Sequence, residues 1–112
     1  WSGAVNVTES IRIGYGTAVT IVGEGAESSA VRAASAFGPI FVANGSVLYL
    51  EDLAVCSGNA TDIGGEGLVS GGGVHAVDAT VTLVGCVFED NFALHTGGGV
   101  FTNRSRLVVQ DT

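Results

Sequence analysis

Four kinds of residue in this 112-residue chain could do chemistry: acidic pairs, two histidines, two cysteines and runs of glycine. The acids group as Glu51-Asp52, Asp62 with Glu66, and Glu89-Asp90. To hold a divalent cation they would have to converge as a set of oxygen donors, which spacing alone does not provide, so they read as solvated turn residues. His75 and His95 titrate near neutrality, but they lie 20 residues apart and fit no His-Glu-x-x-His pattern, so they read as turn or edge histidines. The triplets Gly71-Gly72-Gly73 and Gly97-Gly98-Gly99 lack the Lys-Ser/Thr of a phosphate loop and the following helix of a dinucleotide fingerprint. They are read as tight corners where chain segments approach closely.

Cys56 and Cys86 allow one disulfide and no zinc site built from cysteine alone. Four of the five asparagines stand in Asn-x-Ser/Thr triplets: Asn6, Asn44, Asn59 and Asn103. These are the glycosylation candidates, and their density points to a secreted or cell-surface eukaryotic protein. The chain opens at Trp1 with no charged-then-apolar leader, so any signal peptide or anchor is expected to lie outside this fragment or to have been removed.

Eleven acids against four arginines and no lysine give a formal charge of −7. That balance argues against nucleic acid and against an anionic membrane surface, and no apolar run approaches the ~20 residues of a spanning helix. With 46% apolar residues, 18 glycines and one proline, the composition is that of a folded, turn-rich, all-β chain.

The elements that must position these residues emerge from an internal repeat. Gly71-Gly72-Gly73-Val74 returns as Gly97-Gly98-Gly99-Val100, and Val81-Thr82-Leu83 returns as Leu107-Val108-Val109, both at a spacing of 26. A spacing of 33 places Leu48, Leu50, Leu53 and Val55 on Val81, Leu83, Cys86 and Phe88, the seven extra residues fitting a Gly-rich surface loop at 62–70. A spacing of 29 places Val19 and Ile21 on Leu48 and Leu50, while Val5/Val7 and Ile11/Ile13 look like remnants of an earlier coil. Period-two apolar pairs closed by Gly, Asn, Asp or Ser mark short strands, three per coil and about four coils in all. Such strands must pair with their equivalents one coil away, ~4.8 Å above and below. The register predicts inward columns Leu48/Val81/Leu107 and Leu50/Leu83/Val109, an outward column Tyr49/Thr82/Val108, and Asp78 beside Arg104. It also sets Cys56 opposite Glu89, roughly 10 Å along the strand from Cys86, so a Cys56–Cys86 disulfide would need a local bend.

These residues carry a resemblance. Gly-Gly-Gly-Val before a strand, the strand Thr80-Val81-Thr82-Leu83, and Phe88-Glu89-Asp90-Asn91 six residues before the next triplet resemble the repeats of the polymorphic outer membrane protein family. The run Ala18-Val19-Thr20-Ile21-Val22-Gly23-Glu24-Gly25 is similar to an early coil of the wider pectin-lyase-like group of right-handed parallel β-helices. The likeness covers about residues 18–112. Gly73 and Gly99 stand where that family usually has alanine, and Cys56-Ser57-Gly58-Asn59 stands in place of Phe-x-x-Asn.

The resemblance implies a right-handed, single-stranded parallel β-helix, residues 1–112 forming one domain fragment of a longer solenoid; parallel crossovers are right-handed in general. Leu107 and Val109 are expected to lack a covering neighbour. The implied function is a non-catalytic extracellular module, an adhesin-like or cell-wall scaffold for polysaccharide or cell-surface protein. The alternative is part of a polysaccharide lyase or epimerase whose catalytic coils lie largely outside the fragment. Only under that alternative is calcium expected, held by carboxylates that neutralise a uronate. In this register Asp52 meets only Gly85 and Asp111, so no catalytic residue, cofactor or metal ligand is assigned.

Overall fold

The computed structural model describes residues 1–61, 68, 70–94 and 96–112. Every described element is a strand, and among the described residues no helix is long and apolar enough to cross a membrane. The strands are β1 (Gly3–Val7), β2 (Ile11–Ile13), β3 (Ala18–Val22), β4 (Ser29–Ala33), β5 (Phe41–Asn44), β6 (Val47–Glu51) and β7 (Ala54–Cys56). They continue as β8 (Asn59–Ala60), β9 (Val74–Val77), β10 (Thr80–Val84), β11 (Val87–Glu89), β12 (Phe92–Ala93), β13 (Val100–Asn103) and β14 (Arg106–Gln110).

Strands this short cannot persist alone, and each pairs in parallel with its equivalent on the next coil. Three four-stranded sheets result, in the orders β1-β4-β7-β11, β2-β5-β9-β13 and β3-β6-β10-β14. The chain is therefore a β-solenoid of about three turns with four rungs on each face. The fourth short strand of a coil, which pairs as β8 with β12, went unrecognised in the sequence because two residues are too few for a periodic signal. Ile11 and Ile13 do not belong to an earlier coil. They pair with Phe41 and Ala43 and head the first complete turn, leaving β1 alone as the strand of the coil before.

The repeat spacings set the register. Val19, Leu48, Val81 and Leu107 form one inward column, and Ile21, Leu50, Leu83 and Val109 the next. Leu48, Leu50, Val81 and Leu83 are fully enclosed, whereas Leu107 on the fourth rung is 40% exposed. Phe41, Val74 and Val55 fill the interior from the other two sheets. The outward column runs Thr20, Tyr49, Thr82, Val108.

Each corner repeats a backbone conformation. Gly16, Gly45, Asp78 and Arg104 share positive φ in equivalent places, as do Asp52, Gly85 and Asp111. This left-handed geometry suits glycine and, among side-chain residues, Asp and Asn best. It lets the corner amides extend the ladder: Gly45 N donates to Val77 O at 3.0 Å, and Asp78 N to Asn103 O at 3.0 Å. In the glycine triplets only the first residue needs positive φ, 71° at Gly71 and 64° at Gly97. At Gly73 the constraint is space, since a Cβ would stand 2.6 Å from the Gly99 carbonyl oxygen and 2.7 Å from the Phe88 ring.

Asn91 ties two coils together. Its Nδ2 donates to Val55 O at 2.9 Å and its Oδ1 accepts from Gly58 N at 2.8 Å. Gly58, at the equivalent position one coil earlier, has no side chain to occupy that place. The loop at 62–70 lies largely outside the described residues.

Candidate functional site

The corner between β2-β5-β9-β13 and β3-β6-β10-β14 is an open groove of about 370 Å³ that runs across all four rungs. Its residues come from neighbouring positions of successive corners: Thr17 on the first rung, Ser46 on the second, Asp78 with Thr80 on the third, and Arg104 with Arg106 on the fourth. Register alone brings them together, because each corner turns at the same point of its coil.

Arg104 and Asp78 form the expected pair, with Nε 2.9 Å from Oδ1 and Nη2 3.1 Å from Oδ2. The fork geometry is bidentate, the strongest form of this contact. Both side chains are well exposed, so solvent screens most of its energy. Two rungs below Arg106, Ser46 is 5% exposed and its Oγ has no hydrogen-bond partner among the described residues. The equivalent hydroxyl of Ser105 accepts from Ala79 N at 3.0 Å. Ser46 lacks that partner because Thr17 N turns away to Gly14 O at 3.1 Å. Arg106 makes no ion pair among the described residues. Neither Ser46 nor Arg106 stood out in the sequence. The available signal was the alignment of Arg104-Ser105-Arg106 on Asp78-Ala79-Thr80, which puts two guanidiniums at one corner.

The acidic pairs do not converge. Tyr49 OH donates to Glu51 Oε1 at 2.5 Å, and this bond, burial and the Glu51 charge together hold the phenol above its ordinary range. Asp52 lies beside Gly85 in the corner column that ends at Asp111. Glu89 points outward next to Cys56, and Asp90 occupies a left-handed corner. Asp62 and Glu66 lie outside the described residues, and among those described no three His, Cys, Asp or Glu side chains are placed to share a metal ion. His75 Nδ1 lies 2.8 Å from Ser70 O and its ring stacks on Phe101 at 5.1 Å, the arrangement of a held edge histidine. His95 lies outside the described residues.

Both cysteines are free and buried. Cys86 faces the core with Sγ 3.4 Å from Leu50 O, and burial is the main cause that raises its thiol pKa. Cys56 lies in the outward column between Arg32 and Glu89, as the register sets it. Burial raises its thiol too, against an opposing effect of the Arg32 guanidinium. Of the sequon asparagines, Asn6 and Asn103 are exposed and Asn44 is half-buried. Asn59 is half-buried, its Oδ1 shut off from solvent and without a partner among the described residues.

Compared with protein-family models, curated proteins and solved structures, the chain matches none.

Proposed function

We propose that this chain is a non-catalytic extracellular β-solenoid module, a surface, cell-wall or adhesin-like scaffold that presents a rigid face to a glycan or a cell-surface protein. One observation carries the reading: the rungs stack in strict register, so side chains at equivalent positions form continuous outward columns with a groove between them. Solenoids use such extended faces for recognition, because each coil repeats the same backbone and can vary its outward residue freely. The four sequons support a secretory route, Asn6 and Asn103 being accessible to a glycan. The repeat motifs at Gly71-Gly72-Gly73-Val74 and Phe88-Glu89-Asp90-Asn91 favour kinship with the polymorphic outer membrane protein repeats within the pectin-lyase-like group.

The deciding experiment presents the purified chain to an array of plant, algal and animal glycans and to intact cell surfaces. Saturable binding with no change in the ligand supports a scaffold. Chelator-sensitive growth of unsaturated uronate ends on pectate or alginate, followed by absorbance, would overturn it in favour of a lyase. Product analysis for inverted uronate residues applies the same test to an epimerase.

A further inference from the structure

We infer that Asn44 and Asn103 are a pair of N-linked glycan sites at one corner of the coil, and that the first sugar on Asn44 packs on the Tyr15 ring. This deepens the scaffold reading and rests on its secretory route. In the transfer, Asn44 Nδ2 bonds to the anomeric carbon of an N-acetylglucosamine whose oligosaccharide arrives on a lipid diphosphate. The bond from that carbon to the diphosphate oxygen breaks, the lipid diphosphate leaves with the electron pair, and the amide gives up one proton.

Three observations meet at this corner. The first is Ser46, which is 5% exposed and whose Oγ has no hydrogen-bond partner among the described residues. A buried hydroxyl left in that state costs stability, and proteins almost always avoid it. The equivalent place on the third rung holds Ala79, also 5% exposed, which fills it with no hydroxyl to satisfy. The folded corner therefore has no use for the Ser46 hydroxyl. The triplet Asn44-Gly45-Ser46 has one, because glycan transfer needs a hydroxyl two residues after the asparagine and takes place before the corner closes. Two places before Ala79 stands Val77, and the triplet is gone. Thr17, in the same place on the first rung, follows Tyr15, but it is exposed and its hydroxyl costs nothing. The second observation is register. Asn44 pairs with Val77 and Val77 with Asn103, so the two asparagines share a column two rungs apart, roughly 10 Å at ~4.8 Å per rung. Phe41 and Ala43 fill the core, which turns Asn44 outward. Asn103 is exposed, and in the folded chain Ser105 Oγ donates to Asn103 O at 2.9 Å and accepts from Ala79 N at 3.0 Å. The third is Tyr15, 78% exposed, whose ring occupies the space that a Cβ on Gly45 would take. The ring is held against the corner backbone beside Asn44 while most of it faces solvent. The apolar face of a sugar laid on such a ring removes both from water. Asn59 supplies the contrast. Its Oδ1 is shut off from solvent and Nδ2 is bonded to the same carbon, so a sugar there would collide with the coil that pairs β8 with β12.

The test secretes the full chain from a eukaryotic cell line behind a cleavable leader and reads each triplet by peptide mass spectrometry after enzymatic deglycosylation in heavy-oxygen water. Asn44 and Asn103 should carry glycan in most secreted chains, and Asn59 in almost none. An empty Asn44 in chains occupied at Asn6 or Asn103 overturns the Asn44 site, and an empty Asn103 overturns the pair. Ser46→Ala should abolish the Asn44 glycan. In chain made in bacteria, which bears no such glycan, the same substitution should leave the urea midpoint unchanged or raise it. A fall in that midpoint would show that the hydroxyl serves the fold and would remove the ground for Asn44. For the ring, the rise in melting midpoint from bacterial to glycosylated chain should be smaller in Tyr15→Ala than in the wild type, and equal rises overturn the stacking. Occupancy is read without any ligand. Empty corner triplets in a chain that still binds glycan arrays or cell surfaces sink the two sites and spare the scaffold, whereas occupied triplets in a chain that binds nothing do the reverse.

Discussion

Asp78 and Arg104 lie 26 residues apart in the chain and 2.9 Å apart in space, and the repeat spacing alone foretells their contact. Their energy is another matter. With side-chain exposures of 40% and 69%, the pair is screened, and a double-mutant cycle of Asp78→Ala and Arg104→Ala by urea unfolding should give a coupling below about 1 kcal/mol. The cysteines bear on stability through ionisation. Burial raises both thiols above the ordinary value of 9.0, so the unfolded chain loses these protons at lower pH than the folded one. Below that value both states keep the proton and the contribution is whole; above it, stability falls as pH rises. Urea midpoints measured from pH 7.5 to 9.5 should decline at the alkaline end, and the decline should shrink in the double variant Cys56→Ala/Cys86→Ala.

At the scale of the element, the two glycine triplets look alike in sequence and are not equivalent in space. A methyl at Gly73 would collide with the Gly99 carbonyl and the Phe88 ring, because another coil lies directly over it. At Gly99 the nearest atom to such a methyl is Phe88 Cβ at 3.6 Å, ordinary contact. Gly73→Ala should therefore cost about 1–3 kcal/mol in thermal or urea unfolding, and Gly99→Ala within about 0.5 kcal/mol of nothing. Equal effects would show that the glycines serve backbone freedom rather than space. Strand register was legible because apolar pairs at spacings of 26, 29 and 33 leave one superposition. The two-residue strands β8 and β12 were not, and neither was Asn91's bridge to Val55 and Gly58, which depends on a missing side chain one coil away.

Across the whole molecule, burial is graded along the axis. Leu83, with coils on both sides, is 1% exposed, while Leu107 in a neighbouring column is 40% exposed on the last rung. Leu83→Ala should destabilise by about 2–5 kcal/mol, most of it the cavity left in a packed interior. Leu107→Ala should cost well under half as much, read in the same unfolding experiment. A Leu107→Ala loss equal to that at Leu83 would mean that the end rung is covered in solution.

The sequence by itself determined the solenoid, its register and the pairing of Asp78 with Arg104, because a coil repeat with one buried face fixes which residues stack. It also distinguished inward from outward positions, since side chains alternate along a strand. The tertiary structure decided what the corners present. Among the described residues Ser46 Oγ is left without a partner because Thr17 N bonds to Gly14 O, and Arg106 lines the corner groove because two sheets meet at one turn. Such properties depend on neighbours from several coils at once, and no periodicity along the chain encodes them.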